Sequence, residues 1–142
     1  MGASTFMFSQ YFCSFFHKAV IVIMYETVRA KVVLTFTLAA NDAIAPSLFS
    51  VAIFGPIMCG AVSGCGGAFL PLSKGLDPIA SGMQHPMMSA LTGATLVHLF
   101  VNTSFSEGVA NAKDKAHVHL ALFFIFVGLV NAFGLAKKAK KD

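Results

Sequence analysis

Three charged side chains, Glu26, Arg29 and Lys31, stand inside a run that is otherwise apolar from Ala19 to Leu38. Each charge at the centre of a membrane helix costs about 2.5 to 3.5 kcal/mol on insertion scales, so residues of this kind mark ion paths, headgroup contacts or internal ion pairs. Glu26 and Arg29 are related as i and i+3 and can pair on one helix face. Lys18, Tyr25 and Arg29 also share a face, at separations of seven and four residues. A face with two cations suits a phosphate-bearing lipid headgroup or a watery cavity. In the plainer alternative, a span ends near Tyr25 and Arg29 and Lys31 snorkel to the interface.

A second constellation lies in the uncharged stretch between Asp42 and Lys74, which is interrupted by Gly55, Pro56, Gly60, Gly64, Gly66, Gly67 and Pro71. Glycines weaken a helix, and broken or glycine-rich helices persist in membranes where neighbours re-satisfy the backbone or where it lines a water-filled path. Ser63, Gly64, Cys65, Gly66 and Gly67 are therefore the expected kink and pore wall, since exposed carbonyl dipoles replace part of a cation's hydration shell. The same residues admit a packing role. Gly60, Gly64 and Ala68 form a small-xxx-small stripe, and Ser89 with Gly93 forms another.

The remaining polar residues carry no catalytic logic. His117 and His119 are two apart and point to different helix faces, unlike the i, i+4 pair of a zinc peptidase. His98 suits an interhelical hydrogen bond or an ion ligand, and His85 precedes Pro86 at a helix start. Cys13, Cys59 and Cys65 show no metal-ligand spacing and give no sign of an oxidising compartment. Gly64 to Gly67 has no P-loop lysine after it. We expect no enzyme, no metal and no cofactor beyond a phosphoinositide lipid.

The elements that must position these residues follow from composition and charge. Of 142 residues, 56% are hydrophobic and 11% charged. A soluble surface needs roughly 25% charged residues, and the mean hydropathy of +0.76 points the same way. The expected fold is all-α and polytopic, one membrane domain over 1–142 with spans near 11–40, 43–72, 86–106 and 116–136, the second kinked at its glycines. Residues 1–10 lack the basic start of a cleaved signal peptide and lead into the first span. The tail 137–142 carries Lys137, Lys138, Lys140 and Lys141 and is expected in the cytoplasm by the positive-inside rule. The pI near 9.1 reflects those lysines and fits an anionic leaflet better than nucleic acid.

Read in order, these motifs resemble the second half of the trimeric intracellular cation channels of the endoplasmic and sarcoplasmic reticulum. Those channels have seven spans, two inverted three-helix repeats and a final helix. Their fourth span carries a lysine and, seven residues later, Lys-Glu-Val-x-Arg-x-Arg-Lys; here Lys18 is followed by Tyr25, Glu26, Thr27, Val28, Arg29, Ala30, Lys31 and Val32. The kink of their fifth span, Lys-Gly-Ser-Gly, is matched in character by Ser63, Gly64, Cys65, Gly66, Gly67, Ala68, Phe69 and Leu70. Pro86, Ser89, Ala90, Leu91, Gly93 and Ala94 reproduce the order of the sixth span. The helix 120–136 and the lysine tail match in character. Tyr25 and Ser63 replace two of the family's lysines, which weakens the implied phosphoinositide contact and voltage gating, and the first repeat has no counterpart.

The resemblance implies a potassium-permeable cation channel subunit of the endoplasmic reticulum or another intracellular membrane, supplying counter-ion flux during calcium release. Lys18, Glu26, Arg29 and Lys31 would serve a lipid headgroup or gating. The implied partners are membrane lipids, potassium ions and either further copies in a homotrimer or a chain supplying the first repeat; a truncated product of a longer gene is the other possibility. Two alternatives stand beside it: a non-conducting membrane assembly subunit whose glycines serve only close contacts, and a small solute transporter with a broken-helix site near Gly64.

Overall fold

The computed structural model describes residues 2–45, 52–65, 83–103 and 107–134. Among these residues the protein is all-helical, with α1 over Gly2–Ala43, α2 over Phe54–Ser63, α3 over His85–Asn102 and α4 over Ala112–Gly134. Contacts fix their directions. Along α2, Gly55 lies against Ile44, just past the end of α1, and Gly60 and Gly64 lie against Thr37 and Val33 of α1 in turn, so α2 runs antiparallel to α1. Arg29 meets Pro86 and Ser89, while Asn41 meets Asn102, so α3 runs parallel to α1. Lys18 reaches Ala132, Glu26 lies at Gly128 and Arg29 at Phe124, so α4 runs antiparallel to α1.

The four helices meet around Ala30, Val33, Leu34, Ala90, Ala94, Val97, Ala116, Leu120 and Phe124. Small residues on α3 let it approach closely: a Cβ on Gly93 would meet Phe124 Cε2 at 2.9 Å and Leu120 Cδ1 at 3.0 Å. Phe124, fully buried, fills the space opposite. Such close approach replaces the hydrophobic effect as the source of helix association wherever the surroundings are as apolar as the helices.

The exterior is apolar. Phe16, Met24, Val28, Phe54, Leu122 and Phe126 all stand more than half exposed. Among the described helices, α4 is long and apolar enough to cross a membrane, and 22% of its most apolar window is buried within the protein. Most of that apolar surface is left uncovered by the rest of the described protein, a weak hint of membrane association.

Element bounds depart from the sequence expectation in one place of consequence. Helix α1 exceeds 11–40 at both ends, and α3 and α4 fall close to their expected spans, but the second span, expected over 43–72, is helical only over Phe54–Ser63 among the described residues. Ala43 closes α1, and Ala45 precedes Pro46, a position sterically biased away from helix. At the other end the helix stops at Gly64, with residues 66–82 outside the described set, including the expected kink positions Gly66 and Gly67 and the packing residue Ala68. The lysine tail 137–142 lies outside it too.

Candidate functional site at the Arg29 helix junction

Arg29 stands in the middle of α1 with 6% of its surface exposed, and its guanidinium is the meeting point of all four helices. Nε donates to the carbonyl of Gly64 at 2.5 Å, at the C-cap of α2. Nη1 donates to Glu26 Oε2 at 2.8 Å. Nη2 donates to Ser89 Oγ at 2.7 Å and to the carbonyl of Pro86, in the first turn of α3. Phe124 of α4 lies face-on beneath it, 4.6 Å from ring centroid to Cζ. Four of the five N–H donors of an arginine are thus engaged, in the fixed fork that lysine cannot reproduce.

Each contact has a local cause. The last carbonyls of α2 lack intrahelical partners and carry the negative end of its dipole, so a cation on Gly64 O completes a C-cap. Gly64 itself has φ −83. No left-handed conformation demands glycine there; contact does, since a Cβ would meet Ala90 Cβ at 2.9 Å and clash with Val33. Pro86 sits at the start of α3, where its missing N–H is no loss. Ser89 Oγ donates back to Pro86 O at 3.1 Å and accepts from Arg29, so the hydroxyl is used in both senses.

Glu26, 7% exposed, neutralises the guanidinium and occupies a notch that only a glycine provides. A Cβ on Gly128 would stand 2.6 Å from Glu26 Cγ and 3.0 Å from its carboxyl carbon. Gly128 and Phe124 are one turn apart on α4, so a single helix face supplies a niche for the anion and an aromatic floor for the cation. Nothing in the sequence alone singled out Phe124 or Gly128; the spacing from Glu26 and Arg29, reversed along an antiparallel helix, was the available signal.

Lys18 repeats the pattern at another helix end. Its ammonium donates to the carbonyl of Ala132 at 3.2 Å, in the last turn of α4, and stands 5.5 Å from the Phe133 ring centroid. Lys18 and Arg29 thus each cap a different helix, Lys18 at the exposed edge of the bundle and Arg29 inside it. Tyr25 and Lys31 are exposed. The structure brings Lys18, Glu26 and Arg29 to interhelical contacts and leaves Lys31 outside them.

The small-residue positions are contact points as well. A Cβ on Gly60 would meet Ala94 Cβ at 2.9 Å and clash with Thr37. Ser63 Oγ returns to Gly60 O at 2.9 Å, and buried Cys65 donates to Ala61 O at 2.9 Å. At the far end of α3, His98, Asn102 and Asn41 form a polar chain, with Asn102 Nδ2 at 3.1 Å from His98 Nδ1 and 3.2 Å from Asn41 Oδ1. Among the described residues no group of three or more metal-binding side chains gathers.

No protein-family model matches the chain, and comparison with curated proteins and with solved structures returns no match.

Proposed function

We propose that this chain is a multi-pass membrane protein of an intracellular membrane and a subunit of a potassium-permeable cation channel, with Arg29 as the residue that holds the path closed. The observation that carries this reading is the junction itself. Phe124 lies twelve residues from Ala112 and ten from Gly134 (124−112 and 134−124), so if α4 crosses the bilayer, Arg29 beneath it sits near half depth. There α2 ends and α3 begins. Helices broken at mid-membrane around an ionisable residue characterise ion and substrate paths, and the carbonyls at a half-helix C-terminus are the groups that coordinate cations in such sites. Arg29 occupies that place at Gly64 as a tethered cation. Release of the guanidinium from Gly64 O would free the carbonyl end for a mobile ion.

The motif order from Lys18 through Ala94 supports the intracellular cation channel class, with copies assembling as a trimer or with a chain supplying a first repeat. Burial of Arg29 disfavours a standing phosphoinositide contact there. A non-conducting assembly subunit is the second reading, favoured by the fact that Gly60, Gly64 and Gly93 all mediate close contacts.

Single-channel recording from the purified chain in planar bilayers under a potassium gradient tests the first against the second. Unitary currents reversing near the potassium potential, with open probability changed by Arg29→Gln, support the channel. Saturable flux without unitary events indicates a carrier, and stable oligomers without flux leave the assembly subunit.

A further inference from the structure

Between α3 and α4 lies an open groove of about 430 Å³. Leu96, Val97 and Phe100 of α3 and Leu120 and Phe123 of α4 line it, and the imidazole of His119 stands among them. The wall is otherwise hydrocarbon. We propose that this groove is a lipid site, taking one acyl chain of an anionic phospholipid with its headgroup held by Lys115 and His119; the proposal rests on the membrane reading above.

Two observations choose this occupant over other apolar ones. The first is charge. Lys115 and His119 are one turn apart on α4 and both are exposed, so they share the face that leads into the groove. His119 Nδ1 lies 2.7 Å from the carbonyl of Lys115, an acceptor, so Nδ1 carries the proton and Nε2 is left for a ligand. Lys115 supplies the charge that meets the phosphate, and Nε2 accepts from a headgroup hydroxyl. Asp114 neighbours Lys115 in sequence but lies about 100° around the helix from it.

The second is depth. Lys115 is in the first turn of the one described helix long and apolar enough to cross a membrane, where an interface would place headgroups. Phe123 lies eight residues further on (123−115), about 12 Å toward the middle of the bilayer at 1.5 Å per residue. The polar end of the groove is therefore at headgroup level and its apolar end runs inward, the polarity of a phospholipid. A lone hydrophobic partner helix would have no use for the lysine and the imidazole at the mouth.

The chain contains no tryptophan, so a single introduced one reports its own surroundings. Phe123→Trp places the reporter in the groove, and Val62→Trp, on the exposed side of α2, reports bulk lipid. Each variant is reconstituted in phosphatidylcholine vesicles containing equal fractions of brominated phosphatidylglycerol or brominated phosphatidylcholine. The expected result is an apparent affinity about fivefold higher for the brominated phosphatidylglycerol at position 123, as one basic residue near a membrane surface provides, and no preference at position 62. Adding Lys115→Glu with His119→Gln should abolish the preference at 123. Equal quenching by both lipids at 123, or a preference that survives the charge change, overturns the lipid site while quenching at 62 upholds membrane embedding. No quenching at either position overturns both. Should Phe123→Trp fail to fold, native mass spectrometry of the unaltered chain decides: phosphatidylglycerol retained over phosphatidylcholine supports the site, and equal retention refutes it.

Discussion

Replacing Arg29 by Met removes the guanidinium while keeping an unbranched side chain of good helix propensity. Four acceptors lose their donor at once: the Gly64 and Pro86 carbonyls, Ser89 Oγ and Glu26 Oε2. The carboxylate dominates, because it would be left buried without a counter-charge. Breaking a buried ion pair from one side costs about 3 to 5 kcal/mol. The carbonyls and hydroxyl add less, since Ser89 Oγ can still donate to Pro86 O and water can reach part-buried groups. We expect the variant to lose about 3 to 5 kcal/mol in reversible unfolding in mixed micelles, followed by far-ultraviolet circular dichroism.

The double variant Glu26→Leu, Arg29→Met should be more stable than Arg29→Met alone, because no uncompensated charge remains and apolar replacements of buried pairs are often neutral. The side-chain volume of leucine also suits the notch beside Gly128. A loss below about 1 kcal/mol for Arg29→Met would show that the pair is solvated and that the junction does not hold the bundle. A double variant no better than the single would show that the carboxylate is not what Arg29 neutralises. Either result refutes the reasoning.

Three further outcomes follow from particular contacts. Gly93→Leu forces Leu120 and Phe124 aside and disturbs the floor under Arg29, so a loss of about 1 to 3 kcal/mol is expected on the same unfolding assay. Gly108→Ala meets nothing within 4 Å, yet its φ of +76 makes any side chain strained; the expected cost is about 1 kcal/mol of unfolding free energy, with no change in oligomeric state. Lys18→Met removes an exposed C-cap at α4 and should cost less than 1 kcal/mol, while raising amide hydrogen exchange in the last turn of α4 relative to the middle of that helix.

Much of this was legible in the residue string. The all-helical class, the pairing of Glu26 with Arg29 at i, i+3, and the approximate extents of α3 and α4 follow from hydropathy and local spacing, which act through neighbours in the chain. The small-residue stripes at Gly60 and Gly64, and at Ser89 and Gly93, were visible as candidate contacts for the same reason.

What partners those residues meet was not legible. A charge count cannot say that Arg29 caps α2 while Lys18 caps α4, because both statements depend on where a helix thirty-five or one hundred and fourteen residues away ends. Phe124 and Gly128 look like any other apolar positions in α4 until its antiparallel course against α1 sets one beneath the cation and the other beside the anion. Of the second span, read as helix over 43–72 from hydropathy, the described residues are helical at Phe54–Ser63 and not at 44–45, 52–53 or 64–65, since hydropathy measures what a segment is surrounded by and not where its backbone turns. By itself the sequence determined which residues are costly to bury and which helices could form. The tertiary structure decided which buried group answers each of them, since a charge in an apolar body is stable only where distant chain ends converge to receive it.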